Sequence, residues 1–175
     1  IVVLPIGGKM LQDFENVKGA FAQVPGVESI TASYETPEFV EWGDGITATD
    51  EKSEHEISLN AMPVDLDFTK TMKMQMVAGR DFQQLEFAMM DTSNDYKNFH
   101  QPYIINETLA KKLGWTPQEA IGKIIKKNVT GPVTGVVKDF NFSSLHDPIG
   151  PLLIFLSREL SREFMLRING NDIKG

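Results

Sequence analysis

The strongest constraint on the fold comes from residues 1–33, which have the pattern of a strand, a helix and a second strand. Residues 1–5 are continuously apolar, which predicts a strand buried on both faces. Apolar side chains recur at three- and four-residue steps through residues 10–24, with Glu15 and Lys18 on the opposite side, so one amphipathic helix is predicted. Residues 27–33 are rich in strand formers. The two strands of such a βαβ unit should be parallel, with a right-handed crossover.

The next part of the chain is less regular. Residues 34–55 are polar and rich in turn formers, which predicts a loop. Alternation over residues 57–61 indicates a half-buried strand. Asp65 is placed to cap a short helix over residues 66–71, and the alternating methionines that follow predict a strand over residues 72–79. Residues 81–102 give no clear prediction.

The later segments carry sharper local signals. Residues 103–105 predict a short strand, and Asn106 is placed to cap a helix that ends at Gly114. Thr116 opens a capping box with a proline at the first helical position. Two paired strands are expected on either side of a turn at residues 128–132. A last strand, residues 164–168, is followed by what we expect to be the start of a helix, as if the chain were a segment of something longer.

Composition excludes several classes of function. The 175 residues carry a net charge of −7, which argues against a nucleic-acid partner. The one dense basic patch, residues 123–127, alternates with isoleucine and is interpreted as a strand with solvated lysines. The chain has no cysteine, so thiolate metal sites and thiol catalysis are excluded.

The run from residue 134 to 152 contains the residue types of a hydrolase triad. Ser144, His146 and Asp147 lie within four residues, but triad members normally come from well-separated segments so that their bonds can converge. No Gly-x-Ser-x-Gly elbow is present. We interpret the run as a buried strand that continues into turns, with Val136 and Phe140 on one face and Val137 on the other. His146→Ala should therefore leave function largely intact.

The histidines and methionines do not predict a metal site or a binding site either. His55, His100 and His146 lack the spacing of a zinc helix, and no carboxylate cluster resembles a calcium loop. They are interpreted as surface residues. The eight methionines fit core filling better than an adaptable binding surface.

Three runs together resemble a known family. They are Gly79-Arg-Asp-Phe82, residues 103–123, and Gly135-Val-Val-Lys-Asp-Phe-Asn-Phe-Ser-Ser-Leu-His-Asp-Pro-Ile-Gly-Pro151. Their order is similar to that of the extracytoplasmic core domain of MacB-like and FtsX-like ABC transporter permeases, in the form common among Bacteroidetes-type bacteria. The resemblance spans nearly the whole chain.

The resemblance implies an α+β fold with mixed sheets, in which a βαβ porter-like lobe is interrupted by a second lobe of strands and short helices. Residues 1–34 would form the first porter-like half, residues 35–160 the inserted lobe, and residues 161–175 the truncated start of the second half. Such a domain projects from the periplasmic face of the inner membrane. It holds no cofactor, metal or catalytic residue, and relays ATP-driven motion for export, lipoprotein release or envelope signalling.

The partners implied by the resemblance are a second permease copy, a cytoplasmic ATPase reached through transmembrane helices, and a periplasmic adaptor or lipoprotein. Two other functions compete with this one. The first is a secreted hydrolase that uses His146 or His100, which would need one of these histidines in a cleft beside a distant base or nucleophile. The second is a ligand-sensing domain of a membrane receptor, whose methionine-rich strand would line an apolar cavity.

Overall fold

The structure of the chain is a computed structural model that describes residues 1–49, 54–92, 100–143 and 148–169. Short helices and strands of both pairing senses make up the described part of the chain, so the predicted α+β class is confirmed. The elements are β1 Val2–Pro5, α1 Gly8–Gln12, α2 Phe14–Ala22, β2 Val27–Ser33, β3 Gly43–Thr49, β4 Glu54–Val64, α3 Phe68–Met72, β5 Met76–Gly79, α4 Gln84–Thr92, β6 Tyr103–Asn106, α5 Glu107–Lys112, α6 Pro117–Ala120, β7 Ile124–Lys126, β8 Thr130–Val137, β9 Leu152–Leu156 and β10 Glu163–Ile168.

The strands form a mixed sheet in the order β1-β10-β2-β4-β3-β7-β8-β6-β9, with β5 joined to β8. Because β4 also pairs with β9 in parallel, six of these strands close into a ring: β4, β3, β7, β8, β6 and β9. We call β1, β2, β10, α1 and α2 the terminal lobe. The remaining described elements, built around the ring, are the central lobe.

The terminal lobe confirms the strand–helix–strand pattern but corrects two of its details. β10 lies between β1 and β2 and is antiparallel to both, so β1 and β2 are parallel without being neighbours. β1 is not buried on both faces, since Val2 and Val3, on opposite faces of the strand, remain 36 % and 40 % exposed. The predicted single helix is divided at Asp13, whose φ of −116° and ψ of 33° interrupt the helical backbone between α1 and α2.

The segment predicted to be a loop contains β3, so that prediction was wrong for residues 43–49. Gly43, Asp44 and Gly45 have low intrinsic strand preference. The strand forms nevertheless because it is paired along its whole length with β4 and at its end with β7. Its Ile46 side chain is buried in the core. Tertiary pairing therefore overrides the local preference.

The predictions around the first methionine run also need correction. Asp65 does not cap a helix, because α3 begins three residues later and its N-cap is Asp67, in the left-handed region with φ 65°. Met72 ends α3, and Lys73 is left-handed with φ 56°. Of the alternating methionines only Met76 lies in β5. The alternation therefore spans a helix end, a turn and a strand rather than one strand.

The local signals of the later segments are confirmed. The Asn106 side chain accepts a hydrogen bond from the Leu109 N–H at 3.0 Å, and Gly114 has the positive φ, 77°, of a residue just past a helix. Thr116 and Glu119 complete the predicted capping box. The expected pair of strands is β7 and β8, which are antiparallel.

Three hydrophobic cores hold these elements. Phe14, Ile30 and Phe164 belong to the core between the helices and the sheet of the terminal lobe. Alternate residues of β9 enter the two other cores, and the neighbours Val136 and Val137 of β8 lie in different ones, as predicted. Phe140 packs with the core of Val137 rather than that of Val136, because β8 ends at Val137 and the alternation ends with it.

Candidate functional site

Most of the residues that suggested catalysis are not among those that the structure describes. Ser144, His146 and Asp147 lie outside the described residues. His55 lies in β4 opposite Ala48, and His100 is exposed. Within the described ranges, no three histidine, aspartate or glutamate residues are grouped as a metal site would require.

The last lysine of the basic patch at residues 123–127 is bonded to other parts of the fold. Lys127 Nζ lies 2.6 Å from Asp44 Oδ2 and 5.0 Å from the centre of the Phe155 ring, and its side chain is 9 % exposed. The interpretation of solvated lysines is therefore wrong for Lys127. Sequence reasoning could not find this pair because Asp44 was assigned to a loop instead of to β3.

Backbone and side-chain bonds between distant parts of the chain connect the two lobes, and we call this contact the joint. Its backbone part is narrow, because β2 and β4 share one residue pair, Ser33 opposite Val64. The Tyr34 N–H donates to the Pro63 carbonyl at 3.1 Å, and the Asp65 N–H donates to the Ala32 carbonyl at 2.8 Å. These two bonds flank the pair.

A buried ion pair closes the joint beside this strand contact. Lys18 Nζ, on α2, lies 2.5 Å from Asp65 Oδ2, at the end of β4, and Asp65 is only 1 % exposed. Burial raises the pKa of the Asp65 carboxyl above its ordinary value, although the Lys18 ammonium acts in the opposite direction. Asp65 Oδ1 has no hydrogen-bond partner among the described residues. Burial therefore disfavours the ionised form of Asp65, and the Lys18 ammonium is the main group that favours it.

Arg158 forms a second bridge across the joint. It follows β9, forms an ion pair with Glu15 of α2, and lies 5.3 Å from the Phe14 ring centre. The same guanidinium lies 4.5 Å from the ring centre of Phe87 in α4. A planar guanidinium can stack on aromatic faces while it pairs with a carboxylate, so Arg158 joins both lobes at once.

Bonds from the sheet of the terminal lobe to the α3 region complete the joint. Arg167 Nε, on β10, donates to the Thr71 carbonyl at 2.7 Å, and Thr31 Oγ1, on β2, donates to the Leu66 carbonyl at 3.1 Å. Met165, on the other face of β10 from Phe164, packs into a core of the central lobe. Sequence analysis placed Glu15 and Lys18 on the polar side of a helix, but nothing in the sequence pairs them with partners 143 and 47 positions away.

A cleft of about 390 Å³ lies between the same two lobes, and Met165 and Arg167 of the joint contribute to its lining. Its walls come from β1 and β10, from the turn between α3 and β5, and from the segment after β8. The lining residues are Ile1, Val3, Thr36, Pro37, Glu38, Met72, Lys73, Met74, Gln75, Lys138, Asp139, Phe140, Met165 and Arg167.

The geometry defines the class of protein as a two-lobed α+β domain with a bonded joint. The chain belongs to the family of MacB-like periplasmic core domains, whose family model matches residues 5–172. It is therefore a periplasmic domain of an ABC transporter permease, and that family implies an ATPase partner. Within the described residues, no helix has both the length and the apolar character needed to cross a membrane.

Solved structures show the same fold at low sequence identity. The periplasmic region of MacB from Actinobacillus actinomycetemcomitans has a TM-score of 0.60 and 12 % identity, over 98 % of this chain and 75 % of that one. The extracellular domain of the noncanonic ABC-type transporter YknZ from Gram-positive bacteria has a TM-score of 0.56 and 16 % identity, over 97 % and 83 %.

A third similar structure is a domain of a protein described as a permease, from Porphyromonas gingivalis. Its TM-score is 0.53 at 14 % identity, over 87 % of this chain and 66 % of that one. None of the curated proteins is a significant sequence match.

Proposed function

We propose that this domain performs no catalysis and relays ATP-driven motion of the permease as a rigid body, through the joint between its lobes. The observation that supports the proposal is the joint itself. A strand pair, two ion pairs and two further hydrogen bonds connect the lobes, and one of the ion pairs includes a buried carboxylate. Groups bonded in this way resist separation, because breaking a buried ion pair leaves an uncompensated charge.

We also propose the partners and the domain boundaries that the family resemblance implies. Motion would start at a cytoplasmic ATPase, pass through transmembrane helices of a permease dimer in the bacterial inner membrane, and reach a periplasmic adaptor or lipoprotein. The outcome would be export, lipoprotein release or envelope signalling. We also propose domain limits of 1–34, 35–160 and 161–175, supported by the narrowing of the sheet to one residue pair between β2 and β4.

The test is a disulfide placed across the joint in the complete transporter. Ser33 and Val64 face each other between two flanking backbone bonds, the arrangement in which opposite side chains of an antiparallel pair are closest. The chain has no native cysteine, so Ser33→Cys with Val64→Cys gives one defined pair in this domain. If the domain moves as a rigid body, the oxidised and reduced forms should transport the same amount of substrate per ATP hydrolysed.

The matched control is Lys126→Cys with Thr130→Cys, a pair of opposite residues in the β7–β8 hairpin within one lobe. It should be equally insensitive to oxidation. Loss of transport on oxidation of the joint pair alone, restored by a reductant, would show that the lobes must separate there, and rigid-body relay would be wrong.

A further inference from the structure

The cleft between the lobes has an apolar floor of adaptable side chains. Met72, Met74 and Met165 line it together with Phe140 and Pro37. Methionine side chains are flexible and polarisable, so a surface built from them adjusts to apolar ligands of different shapes. A volume of about 390 Å³ falls within the range of roughly 300 to 1,000 Å³ that is usual for small-molecule sites.

The lining of the cleft also contains three cationic side chains. Lys73, Lys138 and Arg167 line it, and in the described part of the chain neither lysine ammonium group is in an ion pair. Two carboxylates, those of Glu38 and Asp139, also line the cleft.

Asp139 accepts hydrogen bonds from the Thr108 N–H at 3.0 Å and from Thr108 Oγ1 at 2.8 Å, which fix the position of its carboxylate but leave its charge unchanged. Three cationic side chains against these two carboxylates leave the cleft with an excess of one positive charge, in a chain whose net charge is −7. Such a local reversal of sign attracts an anion to this place on the surface.

We propose that the cleft binds a small amphipathic anion, a single apolar chain with one carboxylate head, as in a medium-chain fatty acid. The chain lies on the methionines and Phe140, and the head faces Lys73 and Lys138. Binding of this kind does not depend on the relay function, because it can be measured on the chain alone without an ATPase.

Calorimetric titration with decanoate, below the concentration at which it forms micelles, tests the proposal. Decanol and decyltrimethylammonium, which have the same chain with a neutral and a cationic head, should bind about fivefold more weakly, the upper range for an exposed charge pair. Shortening the acid should weaken binding by about fourfold per methylene, as expected from burial of apolar surface. Equal affinity for all three heads would overturn the proposal.

Variants locate the site. Lys73→Glu with Lys138→Glu should reduce decanoate affinity by about tenfold, since two attractive contacts become repulsive. Lys9→Glu with Lys111→Glu makes the same charge change at two exposed lysines outside the cleft and should have little effect. Met74→Trp fills the floor and should weaken decanoate and octanoate alike. An equal loss in both charge-reversed variants, or unchanged binding in Met74→Trp with its unfolding temperature retained, would place the ligand elsewhere and overturn the proposal.

Discussion

At Gly135 the chain has no room for a side chain. A Cβ added there would lie 2.5 Å from the Arg80 carbonyl oxygen and 2.4 Å from the Met76 methyl group. The methyl group can move, but the Arg80 backbone is held against β8 by its N–H, which donates to the Thr134 carbonyl at 2.9 Å. Gly135→Val should therefore lower the free energy of unfolding by about 3 kcal/mol or more, the cost of forcing atoms into a packed core.

Urea unfolding followed by circular dichroism measures this effect. Gly19→Ala is the matched control, because a Cβ at this position in α2 meets nothing within 4 Å and alanine favours the helix. It should raise the free energy of unfolding by about 0.5 to 1 kcal/mol. A Gly135→Val variant as stable as the wild type would mean that β5 can move away from β8.

The buried carboxyl of Asp65 gives the joint a pH dependence of known sign. Because burial raises the pKa of Asp65 above 3.8, the folded chain holds more protons there than the unfolded chain between 3.8 and the raised value. Its contribution to the free energy of unfolding therefore falls as pH rises through that window. The wild-type value minus the Asp65→Asn value, from urea unfolding at a series of pH values, should show this fall.

Lys18→Met is the companion variant for this measurement. Without the ammonium that opposes the effect of burial, the pKa of Asp65 should rise further, and the fall should extend to higher pH. A difference between wild type and Asp65→Asn that grows with pH would show the opposite, that the fold stabilises the ionised carboxylate.

At the scale of elements, Asn106 has one bond that could be predicted from the sequence and others that could not. Its role as a helix cap was predictable because the residue precedes a helical pattern by the right spacing. Its other bonds were not: Asn106 Oδ1 also accepts from the Leu152 N–H at 2.9 Å, and Nδ2 donates to the Gly150 carbonyl at 2.9 Å. A local pattern reports contacts within one turn of helix, whereas these contacts depend on β9 returning beside β6.

The same distinction explains which other elements were predictable. The Thr116 capping box, α5 and β10 are specified by neighbours in sequence, and they were found. β3 is specified by β4 and β7, and the Lys18–Asp65 pair by the meeting of two lobes, so neither leaves a local pattern. The alternating methionines wrongly predicted one strand, because Met72 ends α3 while Met76 begins β5.

Replacement of Asn106 should cost more than loss of a cap alone. The Asn106 side chain is fully buried and bonds three backbone groups: the Leu109 N–H, the Leu152 N–H and the Gly150 carbonyl. Asn106→Ala leaves all three without this partner, so the free energy of unfolding should fall by about 3 kcal/mol. Thr116→Ala, which removes an exposed cap, should cost about 1 kcal/mol. Thermal and urea unfolding of both variants provide the comparison, and equal losses would reduce the role of Asn106 to capping.

At the scale of the whole molecule, the two lobes are built around different cores and share a joint, although Met165 of β10 packs into a core of the central lobe. The core of Phe14 and Phe164 belongs to the terminal lobe, and two larger cores lie in the central lobe. Cooperation between such units depends on the bonds between them. The fold class could be inferred from the sequence, but the placement of these bonds could not, because Lys18, Asp65 and Arg158 come together only once both lobes are folded.

Weakening the joint should therefore release the terminal lobe before the central one. Lys18→Met leaves the Asp65 carboxyl buried without its cation, and hydrogen exchange of the β2 and β10 amides should then accelerate about tenfold or more, while amides of β6 and β8 change little. Arg80→Met, which breaks the more exposed ion pair with Glu86 inside the central lobe, should leave β2 and β10 unchanged. If Lys18→Met accelerates exchange equally in all four strands, the lobes unfold as one unit, and the joint is part of a single cooperative core instead of a link between two.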